Sequence, residues 1–278
     1  MAMTRAAPTE YPEFDDMELD GLDRLLIPLM MPYVWLRGLV TAPFQYRRLL
    51  KLNRKFNWQP LTSEQAAGLS QPVREFLDTM EAATGRIGFH EPVRHTNAAR
   101  PHGRESTTMI TIAPSGSGEE FCMAAISHAP RRFSMTGLTF HTRMTDGLVI
   151  VTGNERRIAP GRQGKHDVVA FQKVTDAAKL YEIHQRRMAH AARDGRAPVT
   201  VGWHSPTMHP IEAYQRMFEE AIDDGVRRGY AEPSGTDEVR LTFKGAVVSA
   251  WSHAWPLPQI LDWRERGRAA RVLRELEA

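Results

Sequence analysis

Histidine changes charge nearest neutral pH and is the commonest metal ligand, so the eleven histidines are the first place to look for chemistry. His90, His95 and His102 fall close together. Three imidazoles would suit a catalytic zinc, which keeps three protein ligands and one open position. Their spacing matches no metal motif, however, and His102 lies in a loop-like stretch, so no metal site and no cofactor is assigned. His184 sits on the apolar stripe of a helical segment, where a core histidine hydrogen-bonded to a backbone carbonyl is the ordinary arrangement. His190 is off that face, and His204 and His209 flank a helix start. His141, Arg143 and His184 together form the polar set that could line a pocket between a sheet and its helices.

Nucleophile and phosphate signatures are missing. There is no Gly-x-Ser-x-Gly elbow, and Ser115 and Ser117 lie among glycines in a hairpin loop. Gly161-Arg-Gln-Gly164 precedes Lys165 but is too short for a phosphate loop and opens no helix. With Arg157 it reads as a basic surface loop able to touch an anion. Glu219, Glu220, Asp223 and Asp224 stand on or near the outer face of a helix and read as solubilising charge. Cys122, the only cysteine, lies in an apolar run and reads as a small core residue. A lone cysteine allows no internal disulfide, and the acid-rich first residues lack the basic start of a secretory signal; both favour the cytoplasm.

The elements that must position these residues follow from periodicity. Val73, Phe76, Leu77 and Met80 recur at helical spacing over residues 72–83. Strands are expected at 87–95, 107–113, 121–127, 133–142 and 148–152, with Thr145-Asp-Gly147 as a hairpin signal. Five strands with short loops imply an antiparallel sheet with neighbours paired. A helix capped by Thr175 or Asp176 runs to about residue 192, with Ala177, Leu180, Tyr181, His184, Met188 and Ala191 as its stripe. Further helices are expected at 210–228, 242–255 and 259–276, with a small hairpin at 230–241. Late aromatics such as Tyr214, Phe218, Phe243 and Trp251 read as core, while Trp255 and Trp263, beside prolines and charge, are left open. The helix ending in Arg227-Arg228, the hairpin after it and Val239–Gly245 opening a helix are together similar to the wing of winged-helix DNA-binding domains. That resemblance covers about forty residues and implies a DNA-binding regulator. The acidic outer face of the 210–228 helix suits phosphates poorly.

One stretch fits none of these elements. From Leu25 to Tyr46 only Arg37 is charged; Arg47, Arg48, Lys51, Arg54 and Lys55 follow. A helix of that length would approach a bilayer's hydrocarbon core of ~30 Å. Pro28, Pro32 and Pro43 interrupt it, and Arg37 adds about 2.5–3.5 kcal/mol to insertion, so a span is not expected. Tyr33 and Trp35 beside Arg37 suit the water–lipid boundary, and the basic run suits anionic headgroups on the cytoplasmic face. The docking set is Leu25, Ile27, Leu29, Met30, Met31, Tyr33, Trp35, Leu36, Arg37, Leu39, Phe44, Arg47, Arg48 and Lys51.

The net charge of +3 is mild, but seven carboxylates fall between residues 10 and 23, and only basic charges between 37 and 55. The sequence thus predicts an α+β protein: a disordered acidic tail (1–21), an apolar and basic docking arm (22–56), a helix with an antiparallel sheet of about five strands (57–170), and a helical C-terminal half packed on the sheet (171–278). The leading functional expectation is a non-enzymatic accessory or assembly subunit, docking through its arm on a membrane surface or an integral membrane complex. The alternatives are a pocket-bearing enzyme or small-molecule binder, and the DNA-binding regulator.

Overall fold

The computed structural model describes residues 33, 36–45, 47–48, 51–53, 55, 57–99, 106–129, 133–155, 165–200, 210–252 and 257–277. The chain divides into two units, Met1–Thr41 and Ala42–Ala278. Residues 36–45 are helical and are called α1. The main sheet holds seven strands rather than about five, in the order β2-β3-β4-β5-β6-β7-β8. These are Gln59–Pro60, Val93–Ala99, Ser106–Pro114, Glu120–Ala129, Phe133–Arg143, Val149–Gly153 and His166–Ala170. Every pairing is antiparallel except β7 with β8.

Four of the expected strands coincide closely with β4 to β7. The expected first strand is displaced: Phe89 makes only an isolated bridge with Ser115, and β3 begins at Val93. The parallel strand β8 begins just after the basic loop expected to end at Lys165, in a stretch where no strand was expected. A parallel neighbour is joined through a crossover and carries no local hairpin signal. The β6–β7 hairpin is locally specified: Gly147 takes the positive φ of +78° that its turn requires, and the Asp146 carboxylate accepts the Leu148 N–H at 2.9 Å.

Alternation along the strands gives the sheet two buried faces. On one, helix α4 (Ala177–Arg193) places Ala177, Leu180 and Ile183 against Leu138, Phe140 and Val169. Asp176 caps α4 by accepting the Lys179 N–H at 2.7 Å. On the same face, α3 (Gln71–Gly85) sets Val73 and Leu77 on Met109 and Ile126, preceded by the one-turn helix α2 (Ser63–Ala67). The last helix, α7 (Leu257–Glu277), adds Ala269 and the partly buried Val272, Leu273 and Leu276. On the opposite face, α5 (Pro210–Arg227) lays Ala213 and Met217 over Ile112, Phe121, Val149 and Val151.

A second, three-stranded sheet has the order β1-β10-β9, from Lys51–Asn53, Glu238–Leu241 and Ala231–Pro233. Val239 and Ala231 pack on Phe218, Ile222 and Val226 of α5. Helix α6 (Phe243–Ser252) is seated on this small sheet through Gly245, where a Cβ would stand 1.9 Å from the Tyr230 carbonyl oxygen. Trp251, expected in the core, is 44% exposed at the far end of α6. Residues 253–256, with Trp255, lie outside the described residues.

Replacing Gly245 with alanine should therefore cost about 2–3 kcal/mol, because the obstacle is backbone and cannot swing aside. Gly267 of α7 meets nothing within 4 Å of an added Cβ. Gly267→Ala should instead stabilise by about 0.5–1 kcal/mol through helix propensity. Urea unfolding midpoints of the two variants, measured against the parent chain, check both signs.

Candidate functional site

The first polar cluster is assembled beneath α4. A full set of polar residues lies between that helix and the sheet, where apolar packing would be the default. Tyr181 donates its hydroxyl to Glu120 of β5 at 2.7 Å. His184, wholly buried, lies 2.8 Å from two threonine hydroxyls, Nδ1 to Thr152 of β7 and Nε2 to Thr142 of β6. Arg187 donates to the Val151 carbonyl and to Thr152 Oγ1, both at 2.7 Å. It also reaches the Asp167 carbonyl at 2.9 Å and the Asp167 carboxylate at 2.7 Å. Arg268 of α7 donates to the other Asp167 oxygen and to the Val168 carbonyl.

The proton order in this row is determined by its ends. Arg187 can only donate, so Thr152 accepts from it; with the one Thr142 hydroxyl hydrogen given to the Met188 sulfur, His184 is the donor at Nε2, which leaves Nδ1 to accept from Thr152. His184 then donates from Nε2 to Thr142, whose hydroxyl hydrogen points to the Met188 sulfur 2.9 Å away. The imidazole is neutral. Burial, reinforced by the Arg187 charge, holds its pKa down at about 3. Burial also raises the Glu120 carboxyl above its usual range, partly offset by the Tyr181 hydrogen bond. Tyr181 is raised by burial and by its carboxylate partner. Each polar group in this row is satisfied by another, which makes it a tie between helix and sheet.

Periodicity found Tyr181 and His184 but passed over Arg187. An arginine three residues after His184, on an otherwise apolar face, was the available signal. Glu120, Thr142, Thr152, Asp167 and Arg268 carried none, because only the register of the sheet and the packing of α7 bring them here.

The three residues named for a pocket do not converge. His141 and Thr142 are consecutive in β6 and so point to opposite faces. His141 stacks on Phe121 at 4.5 Å, edge-on to Tyr214 of α5, with Thr139 Oγ1 2.8 Å from Nε2. His184 is across the sheet. Arg143 grips Glu220 of α5 through two 2.7 Å contacts near the surface. Between α4, α7 and the strand ends lies a cleft of about 180 Å³, lined in part by Asp167, Arg187, His190 and Arg196. Its arginines are paired, Arg187 with Asp167 and Arg196 with Asp146 and Asp194, and Glu275 also lines it.

The remaining candidates are placed as follows. His95 is buried in β3, His90 is exposed, and His102, His204 and His209 lie outside the described residues, as do Arg157 and Arg162. Among the described residues no three His, Cys, Asp or Glu side chains are grouped to hold a metal ion. Ser115 and Ser117 lie 3.1 Å apart within their hairpin loop. Cys122 is buried, and burial pushes its thiol up to about 12, leaving an inert neutral group. On α5, Glu212, Glu220 and Asp223 are exposed beside Arg216, Arg227 and Arg228, a mixed surface rather than a basic one.

The docking arm is described only in part. Leu25, Ile27, Leu29, Met30, Met31 and Trp35 lie outside the described residues, together with the expected tail at 1–21. Of the rest, Tyr33, Leu36 and Val40 are 61%, 56% and 59% exposed. Arg37 is exposed beside them and Leu39 is half-buried. In the second unit Phe44 is exposed, tilted against the exposed ring of Phe243 at 5.3 Å. Arg48 is exposed, and Arg47 reaches Glu232 at 3.5 Å. The backbone of Lys51 pairs with Arg240 in the small sheet. Among the described residues, no helix is long and apolar enough to cross a membrane.

Neither a family model, nor a curated protein, nor a solved structure matches this chain. The functional reading therefore rests on these surfaces and clusters alone.

The row beneath α4 makes opposite pH predictions for its two ends. The lowered His184 pKa means its contribution is complete above pH 6.5 and is lost as pH falls toward 3, at up to about 1.4 kcal/mol per unit. His184→Gln, which keeps one donor and one acceptor, should be less stable than the parent at pH 7 and close the gap by pH 4.5. The raised Glu120 pKa works the other way: its contribution is present below the ordinary glutamate range and is lost as pH rises through the folded value. Glu120→Gln should therefore gain on the parent between pH 4 and pH 8. Urea titrations across that range test both slopes, and parallel curves for parent and variant would refute the assignment of that residue.

Proposed function

We propose that this chain is an accessory protein that docks through its N-terminal arm on an anionic membrane surface, at the cytoplasmic face. One observation carries the reading: Tyr33, Leu36 and Val40 stand well exposed in a stretch that has almost no charge. A helix that is apolar on more than one side is ordinarily buried in a protein core or in lipid. Withdrawing each such side chain fully from water is worth about 1.5–3 kcal/mol. Arg37 and Arg48, both exposed, supply basic charge of the sign that anionic headgroups attract, at about 1 kcal/mol per residue near the surface. Aromatic and basic residues at the polar edge of an apolar stretch are the composition of interfacial helices. The accessory character is supported by the buried polar row beneath α4, whose members are engaged with one another.

Flotation with lipid vesicles tests this. The full chain should float with vesicles of phosphatidylcholine and phosphatidylglycerol and bind pure phosphatidylcholine more weakly. Leu36→Glu with Val40→Glu should weaken binding by at least about tenfold, since two apolar anchors become charges. A chain that floats with neither vesicle but sediments with native membranes docks on an integral membrane complex instead. A chain that does neither sinks the proposal.

A further inference from the structure

We infer that the outward face of α7 is a second lipid-contacting surface, selective for anionic phospholipid. The inference extends the membrane reading to a different part of the molecule and draws on different residues. Helix α7 runs from Leu257 to Glu277 and turns Ala269, Val272, Leu273 and Leu276 toward the sheet. At 100° per residue, the opposite strip is Ile260, Trp263, Arg264, Gly267, Ala270, Arg271 and Arg274. All seven are exposed; Trp263 reaches 72% and Ile260 44%.

The charge on this strip has one sign. It holds three arginines, and a carboxylate on its edge is the exposed Glu275, one turn after Arg271. Elsewhere on the helix opposite charges are used up in pairs: Arg266 bridges Asp262 at 2.7 Å, and Arg268 grips Asp167 of β8. Arg264, Arg271 and Arg274 have no ion-pair partner among the described residues.

The order of residues favours lipid over other polyanions. Ile260 and Trp263 lie at the N-terminal end of the strip and the arginines mostly follow them. A bilayer surface takes both: the indole settles at headgroup depth, and arginine side chains pair with phosphates while their stems cover apolar surface. A nucleic-acid duplex would match the arginines but offers no apolar layer for Ile260.

The experiment uses the full chain with one reporter. Cys122 is buried, so Gly267→Cys supplies the single accessible thiol, and its side chain would enter open space. An environment-sensitive dye at that position should shift to the blue on phosphatidylcholine–phosphatidylglycerol vesicles, with the shift suppressed by salt. Arg264→Glu, Arg271→Glu and Arg274→Glu combined should weaken binding to those vesicles by at least about tenfold, leaving weak binding to pure phosphatidylcholine unchanged. Circular dichroism confirms that the triple variant is folded. If the dye stays in water and the triple variant binds like the parent while Val40→Glu does not, the arm docks alone and this inference is overturned. If the triple variant loses binding and Val40→Glu does not, the α7 surface stands and the arm reading falls. If the parent ignores both vesicles, or if the strip is needed only for a duplex oligonucleotide, the lipid assignment is overturned.

Discussion

A guanidinium enclosed beneath the end of the sheet is the constraint on which the rest of the second unit depends. Arg187 is almost wholly buried, and burial disfavours its charged form. Four hydrogen bonds, one of them to the Asp167 carboxylate, offset that cost, and they join three elements, α4, β7 and β8. Arg268 brings in α7 through the same carboxylate. Only with β8 held in parallel register beside β7 do these acceptors coincide. The strand pairing with the least local encouragement is thus the one secured by side chains. His184 and Glu120 continue the row across the sheet, so α4 has one position and one rotation over its strands. Apolar side chains alone would tolerate slippage there; a row of directed bonds does not.

The parts legible in the sequence are those whose causes are local. The Asp176 cap, the Thr145-Asp-Gly turn, the period of α4 and the break after α5 are each decided within a few residues, and each is found in place. The misses have distant causes. Strand β8 pairs across a connection rather than a turn, and β2 is only two residues long, so neither shows a pattern of its own. Trp251 read as core with the other late aromatics, packed between the last helices, yet α6 buries mainly its small residues, Gly245, Ala246 and Ala250. For the polar cluster, strand alternation alone puts His141 and Thr142 on opposite sides. Which of them would meet His184 depended on where α4 was laid.

Two surfaces stand apart from this economy of satisfied groups. The arm presents apolar side chains with little charge, and one strip of α7 presents Arg264, Arg271 and Arg274 along the same side as Trp263. Within the described core, charge is neutralised nearby: Arg94 by Glu81 and Asp78, Arg143 by Glu220, Arg187 and Arg268 by Asp167. These buried and half-buried pairs set the core apart from the two exposed surfaces, where the three arginines of the α7 strip are left without such partners among the described residues.

The small sheet has a consequence for how the molecule assembles. Its first strand pairs Lys51 with Arg240, so one short ladder joins the beginning of the second unit almost to its end. The seven-stranded sheet lies inside that circuit and is built throughout from neighbours in sequence, β8 alone being parallel. Closing a loop grows more costly in entropy with its length, so this sheet condenses first and the ladder last. The same ordering makes β1 the first strand to peel away in the native state, exchanging its amide hydrogens while the larger sheet stays protected.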